Sequence, residues 1–83
     1  MKYYFKSSAI KDLRRLPKDI QKKIIEKLDF YTNADNPLKF AEALKDVSMG
    51  EYRFRVGNYR VIFDLFKNSL IILAVGHRKE IYR

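Results

Sequence analysis

The chain has 83 residues, 47% of them hydrophobic, with six Phe and six Tyr, and its 18 Lys and Arg against 10 Asp and Glu give a formal charge of +8. That is enough apolar material for one modest core and too much for a disordered chain, so a single domain over residues 1–83 is expected. With no Cys and one His, a disulfide framework and a Cys/His zinc centre are excluded, while the positive surface calls for a polyanionic partner: nucleic acid, an anionic membrane or an acidic protein.

The longest apolar run, Leu70 to Val75, is far too short to span a bilayer, and the first residues lack the apolar stretch of a secretory leader. A soluble, cytoplasmic protein with no membrane partner is expected, and the absence of Cys agrees with a reducing compartment.

Lys2 to Phe5, the run KYYF, is a short aromatic segment that predicts a first strand. Ser7 or Ser8 is placed to cap a helix in which Ile10, Leu13 and Leu16 keep helical spacing, with Lys11, Arg14 and Arg15 outward. Pro17 closes that helix and suits the first position of the next, where its missing N–H is no loss. Ile20, Ile24, Leu28 and Tyr31 then form an amphipathic stripe that Ile25 and Phe30 broaden. NADNP, from Asn33 to Pro37, stops the helix. Leu38, Phe40, Ala41 and Leu44 predict a short helical turn against the core, with Lys39, Glu42 and Lys45 solvated.

From Gly50 to Leu65, GEYRFRVGNYRVIFDL, the period changes to two. Gly57-Asn58 interrupts the alternation with residues that tolerate the positive φ of a two-residue hairpin turn. That turn pairs Val56 with Tyr59, Arg55 with Arg60, Phe54 with Val61 and Arg53 with Ile62. Tyr52, Phe54, Val56, Tyr59, Val61 and Phe63 then share a core face, and Arg53, Arg55 and Arg60 share the other.

Opposed side chains on a sheet stand about 4.5–5.5 Å apart at Cβ, and like charges at that spacing destabilise the pair. An anion held among the arginines is the simplest reason for the arrangement, since the planar guanidinium fork suits phosphate. The plain alternative is a solvated face whose arginines splay apart and reach Glu51 and Asp64. A second two-residue turn, Lys67-Asn68 or Asn68-Ser69, leads to a strand from Leu70 to Gly76. Either turn puts Leu70, Ile72 and Ala74 on the core face, and Ile71, Leu73, Val75 and His77 on the arginine face, with His77 near Arg60. One extra loop residue would reverse this. The tail, GHRKEIYR, gathers the His, an arginine and a tyrosine at the edge of the basic face.

The element order, with YRFRVGNYRVIF at Tyr52 to Phe63 and VGHRKEIYR at Val75 to Arg83, resembles the RelE toxins of the RelE/ParE superfamily. The resemblance implies an α+β fold, with an N-terminal strand and a helical hairpin packed on a small, largely antiparallel β-sheet, the RelE-like microbial ribonuclease fold. It further implies the toxin of a type II toxin–antitoxin system. Such a toxin enters the ribosomal A site, cleaves mRNA and so inhibits translation, is held inactive by a cognate RelB-like antitoxin, and uses neither metal nor small-molecule cofactor.

The implied chemistry is attack of a ribose 2′-OH on the adjacent phosphorus, which needs positive charge around the phosphate, a proton acceptor and a proton donor. Arg53 and Arg55 match the basic residues of the family's catalytic strand, Arg60 its arginine after the turn, and Arg78 and Tyr82 its late arginine and terminal tyrosine. Some relatives carry lysines on that strand, whereas arginine stays protonated, so Arg53 and Arg55 are expected to clamp. Proton transfer then falls to His77 or Tyr82, and imidazole is the side chain that ordinarily titrates near neutrality. Two other functions remain open at this point: a ParE-like inhibitor of DNA gyrase, and a relative that binds RNA without cutting it.

Overall fold

The computed structural model describes residues 1–82. Its elements are β1 (Lys2–Phe5), α1 (Ser7–Arg14), α2 (Lys18–Asn33), a 3-10 turn (Pro37–Phe40), β2 (Ala41–Ala43), β3 (Tyr52–Val56), β4 (Tyr59–Phe66) and β5 (Ser69–His77). The strands form one sheet in the order β1-β5-β4-β3-β2, antiparallel except where β1 runs parallel to β5. This is the α+β arrangement expected, with an additional edge strand. No helix among the described residues is long and apolar enough to cross a membrane.

The helices cover one face of the sheet. Ile24, Leu28 and Tyr31 of α2 and Ala9 of α1 pack on Phe54, Val56, Val61, Phe63, Leu70, Ile72 and Val75. Aromatic rings stack through this layer from Phe40 to Tyr31 at 4.9 Å, Tyr31 to Phe54 at 4.4 Å and Phe54 to Phe63 at 4.5 Å between centroids. Burial holds the Tyr31 hydroxyl above its ordinary pKa. Phe30, expected to broaden the stripe, instead lies exposed and tilts against Phe40 at 5.6 Å.

Local chemistry differs from expectation at both helix starts. The N–H of Lys6 donates to Ile72 O at 2.9 Å, so sheet pairing runs up to the residue before α1, and Lys6 itself is the cap. Ser7 and Ser8 are instead the first two residues of the helix itself. Pro17 occupies the cap position of α2, one residue earlier than expected, and its carbonyl accepts from Gln21 N at 3.0 Å.

The central hairpin has the expected register, with Arg55 opposite Arg60 and Val56 opposite Tyr59. Of its two turn residues only Gly57 has a positive φ, +60°, the signature of a type II′ turn, whereas Lys67 and Asn68 both do, at 46° and 61°, as a type I′ turn requires. That second turn sets Phe66 opposite Ser69 and Phe63 opposite Ile72. The register then slips: Ile62 pairs with Ala74, leaving Leu73 as an extra residue on β5. A one-residue bulge reverses the facing of everything after it. Val75 therefore enters the core under the helices, contrary to the reading above, and His77 pairs with Tyr59 on that same helix-covered side.

Candidate active site

Three arginines stand on the sheet face away from the helices. Arg53 and Arg55 alternate with core residues on β3, and Arg60 lies opposite Arg55 on β4. Part of this face is roofed. Ile62 is fully buried there, because Gly50 crosses over it so closely that a Cβ at position 50 would lie 2.6 Å from Ile62 Cγ2 and 3.0 Å from Leu73 Cδ1. What stays open is the end bearing the arginines.

The anion among them comes from the chain itself. The residues read as part of a solvated helical turn include β2, which pairs with β3 so that Glu42 sits directly opposite Arg53. Glu42 Oε1 lies 2.6 Å from Arg55 Nε and 3.4 Å from Arg53 Nε. Glu51 and Asp64, the acids considered from the sequence, are used elsewhere: Glu51 Oε1 accepts from Leu65 N and Asp64 Oδ1 from Glu51 N, each at 2.8 Å. Arg60 turns the other way, and its Nη1 donates to Gly57 O and Tyr59 O, both at 2.9 Å. Opposed Arg55 and Arg60 thus avoid each other by leaning towards different acceptors. Three guanidiniums against one carboxylate leave the patch cationic.

The tail brings in the tyrosine. Arg78 N donates to Asn58 O at 2.8 Å, which ties the tail to the hairpin turn whose Gly57 carbonyl Arg60 also holds. Ile81 then lies over Gly76, the residue paired with Arg60, and Arg53 Nη1 donates to Tyr82 Oη at 2.6 Å. The Arg53 guanidinium also lies 5.6 Å from the centre of the Tyr82 ring. Arg53 is held further into its protonated form, chiefly by the bond to Tyr82, with burial opposing and Glu42 adding to the effect. It is a fixed cation, not a proton carrier. Its side chain is 24% exposed against 58% for Arg55, and its covered Nε makes no hydrogen bond among the described residues.

Arg53, Arg55 and Tyr82 are thus brought together, Arg60 stands opposite Arg55, and Arg78 follows at the hairpin end. His77 is not among them. The Leu73 bulge puts its ring against Tyr59, edge-on at 5.4 Å, in a cleft of about 490 Å³ shared with Asp12 of α1 and with Arg15 and Leu16 just after it. Glu42 was the residue missed. A three-residue strand following a Pro-initiated turn leaves no alternation to detect, but three arginines on one sheet face call for an acid on a neighbouring strand, and Glu42 is the acid between Pro37 and Lys45. Among the described residues no three His, Cys, Asp or Glu side chains come together as metal ligands.

Two helices on one face of a five-stranded, mostly antiparallel sheet is the architecture of solved RelE toxin structures. Residues 3–82 match the family of ParE toxins of type II toxin–antitoxin systems, and the chain belongs to the RelE/ParE superfamily. Within it, the chain is 36% identical over 85 residues to toxin RelE3 of Methanocaldococcus jannaschii, covering 99% of this chain and 96% of that one. It is 32% identical over 81 residues to toxin RelG of Mycobacterium tuberculosis, covering 95% and 92%. Among solved structures, the RelBE2 toxin–antitoxin complex of M. tuberculosis contains a chain that superposes with a TM-score of 0.77 at 28% identity, covering 93% of this chain and 96% of that one.

Proposed function

We propose that this toxin is an endoribonuclease that cuts mRNA in the ribosomal A site and is neutralised by a cognate RelB-like antitoxin. The observation that carries the reading is the convergence of Arg53, Arg55, Glu42 and Tyr82 on one open, cationic face. A phosphodiester entering that face exchanges places with Glu42 on the guanidiniums, since phosphate and carboxylate are both met by the same planar fork.

In the reaction the 2′-oxygen forms a bond to phosphorus and the bond from phosphorus to the 5′-oxygen breaks, giving a 2′,3′-cyclic phosphate and a free 5′-OH. Arg53 and Arg55, with Arg60 and Arg78 at the hairpin end, offset the negative charge that grows on the phosphate oxygens. Glu42, displaced from the arginines, is the acceptor-type group beside the 2′-OH and takes its proton. Tyr82, whose hydroxyl is already in place through Arg53, donates its proton to the leaving 5′-oxygen and is reprotonated from solvent. His77 has no part in this step because it lies on the other side of the sheet. The formal charge of +8 supports both a salt-sensitive grip on RNA and an antitoxin segment rich in acidic residues.

The test is to incubate the protein with translating ribosomes and map RNA ends. Cleavage within the A-site codon, with free 5′-OH ends, is expected. The ParE family match supplies the competing reading: inhibition of gyrase supercoiling with intact message would overturn the nuclease. Equal loss of ribosome affinity and cleavage in Arg55→Ala would instead mark a binding module.

A further inference from the structure

We propose that His77 is a positioning residue: its imidazole caps the C-terminal turn and so fixes Tyr82 against Arg53. The inference rests on the nuclease reading for its effect on activity, but its structural part stands alone.

β5 ends at His77, and the chain reverses in a tight turn over residues 78–82. Residues 78–80 are exposed there, yet the turn supplies acceptors from within the protein to four successive backbone N–H groups. Arg78 N has Asn58 O at 2.8 Å, while Glu80 N and Ile81 N share His77 O at 2.9 and 3.0 Å. Lys79 N is left, and it donates to His77 Nδ1 at 3.1 Å. One residue therefore supplies the acceptors for three of the four groups, and its side chain bonds the N–H two residues ahead, as a helix N-cap or an Asx turn does. The ring is held for the task by the edge contact with Tyr59. Once the turn is closed, Ile81 reaches over Gly76 and Tyr82 reaches Arg53.

This assigns the tautomer. Nδ1 can accept only when the imidazole is neutral with its proton on Nε2, because the imidazolium carries donors on both nitrogens. A ring with its proton on Nδ1 would instead set two donors face to face and leave the Lys79 N–H without its acceptor. The charged and titratable groups that line the cleft with His77 are Asp12 of α1, Arg15 at its C-terminal cap, Tyr59 of β4 and Glu80 of the tail.

Two variants separate positioning from proton transfer. His77→Asn keeps an acceptor for the N–H two residues on but does not titrate, and His77→Leu has no acceptor. With the full-length toxin and translating ribosomes, His77→Asn should keep cleavage within about threefold of the parent. His77→Leu should lose about tenfold, or ~1.4 kcal/mol, and adding Tyr82→Ala to it should cost less than Tyr82→Ala does alone. Independently of any RNA, ring ¹⁵N shifts should report the Nε2–H form, and the Lys79 amide should be protected from hydrogen exchange in the parent and in His77→Asn but not in His77→Leu. The proposal is overturned by an Nδ1–H ring, by equal Lys79 exchange in all three proteins, or by a His77→Asn that is inactive while Lys79 stays protected, which would make the imidazole itself the proton carrier. If no form cleaves RNA, the nuclease reading fails and the exchange and ¹⁵N measurements still decide the cap.

Discussion

The two faces of the sheet use the same strands to opposite ends. Successive residues of β3 point alternately into a sealed aromatic layer and onto an open cationic surface, so Phe54 is fully buried between Arg53 and Arg55. One face is closed by Tyr31 and Phe63, whose rings pack on Phe54, with Phe40 stacked behind Tyr31. The other is closed only in part, by Gly50 over Ile62 and by the tail over Gly76, and its charges are balanced only in part by Glu42. Packing is completed where stability is made, and charge is left incomplete on the face where the proposed nuclease would hold a phosphate.

Substitutions on adjacent residues test this division most strongly. Phe54→Ala should cost about 3–5 kcal/mol of stability in urea unfolding, the usual range for emptying a packed aromatic site. Arg53→Ala should leave the unfolding midpoint nearly unchanged and lower cleavage by about 10²–10³-fold, as loss of one donor to a developing anion does. If Arg53→Ala unfolds the protein as readily as Phe54→Ala, the two faces are not divided in this way.

Gly50→Ala probes the roof. With φ at +146° and Ile62 Cγ2 2.6 Å from any Cβ, it should cost about 1–3 kcal/mol, measured by thermal unfolding. An unchanged midpoint would mean that the 44–51 connection moves freely away from Ile62.

A smaller effect belongs to the helix side. Tyr3 donates to Asp29 Oδ1 at 2.7 Å, and its pKa is pushed up to about 12, by burial first and then by Asp29. A folded-state value above the ordinary 10.0 contributes stability that is complete below pH 10 and is lost as pH rises towards 12. Unfolding midpoints should fall across that window, and Tyr3→Phe should flatten the fall. The least expected change is at the second hairpin turn, where Lys67 sits at φ 46°. Lys67→Asn should add about 0.5–1 kcal/mol, because Asn tolerates that region better, again read from urea unfolding.

The central hairpin was legible because Gly57-Asn58 and five alternating residues determine register locally. The helical stripe of Ile24, Leu28 and Tyr31 was legible for the same reason, and the family motif at Val75 to Arg83 pointed to Tyr82. Three features were not. The Leu73 bulge arises from how β5 meets β4, and no single residue announces it, yet it moves His77 to the opposite face. β2 is too short to show a period, and with it the partner of the arginines went unseen. The Lys6 cap depends on β1 being paired with a strand from the other end of the chain. Each miss belongs to tertiary pairing overriding local pattern.

That last pairing bears on how the molecule is made. Tyr3 lies beside Leu70 and Phe5 beside Ile72, so β1 has no neighbour in the sheet until β5 has been made. Closure of the long loop between them must precede this contact, which slows assembly. Until then the flank of Leu70 to Ile72 is an unpaired apolar border, open to a stray strand from another molecule.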